Sequence, residues 1–100
     1  MASGTEKIEI ENIASPGHKY RVDRVKYEAM REALLTVLPP AAPGLTVAEA
    51  KDRLLPLLPQ DLFPGGAKAG WWLKAAQLDL EAKGTIEREA TKPLRLHKKA

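Results

Sequence analysis

Apolar and polar residues alternate singly through Lys7–Ile13, where Ile8 and Ile10 are separated and flanked by Lys7, Glu9 and Glu11. A period of two sends successive side chains to opposite faces, so the run predicts a strand with one face buried. Ser15-Pro16-Gly17-His18 follows, with proline at the second turn position and glycine at the third, where a type II turn needs a positive φ. Lys19 to Val22 then returns as a second strand, and residues 7–22 are read as a β-hairpin.

The period changes at Asp23, a good N-cap. Behind it Tyr27, Met30, Leu34, Val37 and Leu38 recur at the spacing of one helical face, with Arg24 and Glu28 four apart on the wet side. Pro39-Pro40 ends this helix, and Pro39 to Leu45 is read as a connector. Thr46-x-x-Glu49 is a capping box, in which hydroxyl and carboxylate each satisfy a backbone N–H at the start of a second helix. Val47, Ala50, Leu54 and Leu57 should face inward, and Pro56 should stop the helix near Leu55. Within the loop 59–66, Leu62 and Phe63 are expected to tuck beneath the chain. A third helix is predicted over residues 67–82, released by Gly84 at a left-handed position. Thr85–Glu89 and Leu94–Lys98 read as paired strands, the second with Leu94 and Leu96 on an apolar face and Arg95 and His97 on a basic one.

The order hairpin, three helices, hairpin predicts an α+β fold: a winged helix-turn-helix-like three-helix core with a C-terminal β-wing and an added N-terminal β-hairpin. The hairpin spans residues 7–22, the helices 23–83 and the wing 85–98, within one domain from 7 to 100; residues 1–6 are expected to be a disordered N-terminus. A chain of 100 residues, 44% hydrophobic and 29% charged, suits one globular core rather than two.

Leu78-Asp79-Leu80-Glu81-Ala82-Lys83-Gly84-Thr85-Ile86-Glu87-Arg88 resembles the end of a winged-helix recognition helix running into its wing, as found in bacterial regulators. Leu80 would anchor the helix, Gly84 release it and Ile86 begin the first wing strand. The wider combination of Asp61-Leu62-Phe63-Pro64-Gly65-Gly66, Gly70-Trp71-Trp72 and Lys92-Pro93-Leu94-Arg95 is similar to a family of small bacterial proteins of unknown function, over Ile8 to Arg95. That resemblance implies a winged-helix-like fold and no activity.

The third helix carries two apolar stripes. Ala69, Trp72, Leu73, Ala76 and Leu80 form the core side; Trp71, Ala75, Leu78 and Ala82 form another on roughly the opposite side. Base edges are read by Arg, Lys, Asn or Gln, which this second stripe lacks. Two readings follow for it. Either the hairpin folds over it through Ile8, Ile10, Ile13, Tyr20 or Val22 and completes one core, or Trp71 and Leu78 form an interface for a second copy or another protein.

Charge bears on the remaining chemistry. Residues 83–100 hold six basic groups against two acidic ones, although the whole chain is only +3. Lys68, Lys74, Arg88, Lys92 and Arg95 are the candidate phosphate contacts, so the expected partner is double-stranded DNA held through wing and tail, or a protein held through the third helix. Gly65-Gly66-x-x-x-Gly70 has the glycines of a phosphate cradle without the P-loop's Gly-Lys-Ser/Thr ending. His18 and His97 show no metal-ligand spacing, Ser3 and Ser15 have no nucleophile pattern, and the absence of cysteine excludes disulfides and thiolate metal sites. The expectation is a non-enzymatic module, nucleic-acid-binding or a regulatory adaptor, with a protein-interaction or homodimerisation module as the alternative. No cofactor, no membrane contact and a cytoplasmic location are expected, since the chain holds no long apolar run and no signal peptide at its start.

Overall fold

The computed structural model describes residues 6–99. Strands β1 (Lys7–Glu11) and β2 (Lys19–Asp23) pair antiparallel with Ile8 opposite Val22 and Ile10 opposite Tyr20. At their turn, His18 N–H donates to the Ser15 carbonyl at 3.0 Å and Gly17 takes φ +86°. Of the expected disordered start, residues 1–5 lie outside the described residues. Glu6 is held, its carbonyl accepting Arg24 N–H at 2.9 Å.

Helix α1 (Arg24–Val37) begins at Asp23, whose carboxylate accepts Lys26 N–H at 3.1 Å, and buries Tyr27, Met30 and Leu34. The supposed connector ends in a short strand, β3 (Leu45–Thr46), which two residues of sequence cannot announce by periodicity. Gly44 makes this strand possible: it takes φ +82°, and a Cβ there would overlap the Leu96 carbonyl.

Helix α2 (Val47–Leu54) opens on the capping box, Glu49 N–H donating to Thr46 Oγ1 at 3.1 Å and Thr46 N–H to Glu49 Oε1 at 2.9 Å. That backbone donor holds the Glu49 carboxyl below its ordinary range. Pro56 then tightens the chain into a 3₁₀ turn over Leu55–Leu57. The tighter turn shifts the apolar phase by one residue. Leu57, expected inside, is 49% exposed, and Leu58 is buried instead.

Helix α3 (Ala69–Ala82) starts two residues later than predicted, because Gly65, Gly66 and Lys68 all take positive φ ahead of it. Its end follows the sequence reading. Thr85 N–H bonds the Leu80 carbonyl and Gly84 N–H the Glu81 carbonyl, with Gly84 at φ +75°. Strands β4 (Ile86–Glu89) and β5 (Arg95–Lys98) pair antiparallel, and β3 joins the other edge of β5, giving the order β3-β5-β4.

A single core of Tyr27, Met30, Leu34, Leu54, Phe63, Leu73 and Leu96 joins the helices to both sheets. Phe63 meets Trp72 edge-on at 6.4 Å, which is how the 59–66 loop is pinned under α3. Among the described residues no helix is long and apolar enough to cross a membrane.

Candidate interaction face

The core stripe of α3 lies where its periodicity puts it: Ala69, Trp72, Leu73, Ala76 and Leu80 are all buried. Asp79 shares that side, three residues beyond Ala76 and seven beyond Trp72, and is fully buried. A carboxylate survives there only if its lone pairs are filled. Asp79 accepts from Glu11 N–H at 2.8 Å, from Lys83 Nζ at 2.6 Å and from the Tyr27 hydroxyl. Burial, reinforced by Asp79, pushes the Tyr27 hydroxyl well above its ordinary pKa. One side chain therefore ties the hairpin and α1 to α3. An acidic residue on a core stripe was the signal for it in the sequence.

The second stripe is half-buried in its middle, at Ala75 and Leu78, and exposed at Trp71 and Ala82. Near Asp79, Ile13 N–H reaches the Leu78 carbonyl at 3.4 Å, and Leu78 is half-buried. About two turns earlier, Trp71 stands 58% exposed, its ring edge-on to Trp72 at 5.0 Å. The reading in which the hairpin folds over the stripe holds in part: Ile10 and Val22 are buried, but Ile13 and Tyr20 are 42% and 38% exposed. The hairpin is fastened at Asp79, and a groove of about 500 Å³ separates it from the α3 segment that carries Trp71, Lys74 and Ala75.

The five candidate phosphate contacts divide. Arg88 is clamped by Glu81, Nε at 2.6 Å from Oε1 and Nη2 at 3.0 Å from Oε2, and Glu81 also accepts from Gln77 at 2.9 Å. Hydrogen bonding to Glu81 raises the Arg88 pKa. Arg95 donates to the Gly44 carbonyl at 3.1 Å and lies 3.5 Å from Glu49. Both guanidinium groups thus serve the fold. Lys68, Lys74 and Lys92 are exposed and make no ion pair among the described residues. Lys74 and Arg88 come together along a second groove, on the wing side of α3.

The first two glycines of the cradle have spent their donors, since Gly66 N–H bonds the Phe63 carbonyl at 2.9 Å and Gly65 N–H bonds Gln60 Oε1 at 3.1 Å. His97, expected on a basic face without carboxylate neighbours, is buried beside two of them. Strand pairing sets it opposite Glu87, with Nε2 at 2.7 Å from Glu89 and 3.9 Å from Glu87, while Nδ1 meets the Lys98 carbonyl at 2.7 Å. The donor atoms of the three side chains lie within 4.8 Å of one another. Both ring nitrogens face oxygen acceptors, an arrangement that favours the protonated ring, from which a metal would have to displace a proton. The Glu89 carboxylate, with the Lys98 carbonyl, raises the His97 pKa.

Among the described residues, three helices on a two-stranded hairpin and a three-stranded sheet define a small mixed α+β domain with an open helix face at Trp71. The chain belongs to the family of unknown function DUF6958, whose family model matches residues 7–96. No curated protein and no solved structure matches it.

Proposed function

We propose that this chain is a non-enzymatic winged-helix module that docks protein, a second copy of itself, on the outer face of α3. The winged-helix part is supported by the sheet order β3-β5-β4 beside three helices, with β4 and β5 as the wing. The observation that carries the docking reading is the exposure of Trp71. A large indole is the most effective single anchor an interface can hold, and it is left in water on the face pointing away from the core. A second copy offers the same indole, so a two-fold axis beside α3 buries both, and a net charge of +3 is too small to hold the copies apart. Clamped Arg88 and Arg95 weigh against phosphate binding by the wing. Nucleic acid remains the second reading, favoured by the open lysines at 68, 74 and 92.

Sedimentation of the purified chain with and without generic duplex DNA tests both. Docking predicts association to twice the chain mass, lost in Trp71→Glu with the fold retained, and no co-sedimentation with DNA at low salt. A monomer at every concentration ends the docking reading. DNA binding that falls steeply with salt and is lost in a Lys68→Ala, Lys74→Ala, Lys92→Ala triple variant would replace it.

A further inference from the structure

We infer that the groove between the hairpin and α3 is a binding site for a small amphipathic carboxylate, with its apolar body between strand and helix and its head at Lys74 and the Tyr20 hydroxyl. This inference goes beyond the docking reading, and needs only the groove. At about 500 Å³ it is in the size range of small-molecule sites, which are mostly apolar with a few placed polar groups. Ile10, Val22, Ala75 and Leu78 supply its apolar surface, and Tyr20 and Trp71 are its aromatic lips. Such surface left half open is unusual in a chain this short, which needs its apolar residues inside.

The polar groups around it are chiefly donors. Asn12 Nδ2 donates to the Tyr20 hydroxyl at 2.8 Å, so that phenol keeps its own proton to give to a ligand. Lys74 lines the same groove and makes no ion pair among the described residues, whereas Arg21 stands opposite Glu9 in the strand register. Glu11 is the one carboxylate lining it, and it stands opposite Lys19 in the strand register. An apolar trough with an unpaired cation and a spare hydroxyl donor selects an anionic head on an apolar body over a neutral or cationic one.

Decanoate, kept below its micelle concentration, is the probe. Titrated into the full chain and followed by tryptophan fluorescence and backbone amide shifts, it should bind saturably, one per chain, with shifts centred on Ile10, Tyr20, Trp71 and Ala75. Decanol and decyltrimethylammonium should bind at least tenfold more weakly. Lys74→Glu, at an exposed position, should weaken decanoate by a similar factor with an unchanged melting temperature. Ala75→Met, which fills the groove, should block decanoate binding with the fold retained. Absence of saturable binding, equal binding of decanol, or indifference to Lys74→Glu each overturns the inference. A strictly monomeric chain that still binds decanoate would end the docking reading alone, and a dimer that ignores decanoate would end this one alone.

Discussion

Asp79 shows how one residue sets the architecture. Its carboxylate fills the needs of a strand N–H, a phenol and an ammonium at once. Removing one partner of a buried charged cluster typically costs about 3–5 kcal/mol, against about 5–15 kcal/mol for the whole stability of a domain. Asp79→Ala should therefore lower the urea midpoint drastically or unfold the chain, while Asp79→Asn, which keeps an acceptor for Tyr27, should cost less. Equal midpoints for wild type and Asp79→Ala would contradict this role. His97 makes a second prediction at this scale, with the opposite pH sense from a carboxylate. Its pKa is raised in the folded state above the ordinary 6.5, so its ion pair with Glu89 stabilises fully below that value and is lost as pH rises through the folded value. Urea midpoints should fall between mildly acidic and alkaline pH, and His97→Gln should flatten that slope.

At the scale of elements, periodicity and capping chemistry carried most of the fold. The Asp23 cap, the Thr46/Glu49 box and the Gly84 release each stand where a backbone donor or acceptor needs them. The box is the most direct of these to test: Thr46→Ala should cost roughly 1 kcal/mol, read as a lowered melting temperature. What the sequence hid was pairing between distant segments. A two-residue strand has no period to detect, and β3 depends on Gly44 meeting Leu96, more than fifty residues away. The Glu87, Glu89 and His97 cluster was hidden for the same reason, since aligning the two predicted wing strands end to end sets Glu87 opposite Leu96, one residue out of the register that pairs it with His97. The second stripe of α3 was legible as apolar, but its burial depended on where the hairpin is fastened, and that is decided by Asp79.

For the whole molecule, these attachments leave an asymmetric domain. The inner side of α3 is sealed, the middle of the outer side at Leu78 is half-buried beside the hairpin, and Trp71 is open. Trp71→Glu should cost no more than about 1 kcal/mol, since it removes an exposed ring and one edge-on contact with Trp72. Loss of folding in that variant would mean that Trp71 supports the core. The chain contains no cysteine, so single cysteines can be placed freely and cross-linked by oxidation. Lys74→Cys, one turn from Trp71 on the open face, should give a covalent dimer that is lost when Trp71→Glu is added, whereas Thr36→Cys on exposed α1 should stay monomeric. Equal cross-linking at both positions, or cross-linking at position 74 that survives Trp71→Glu, would contradict docking through this face.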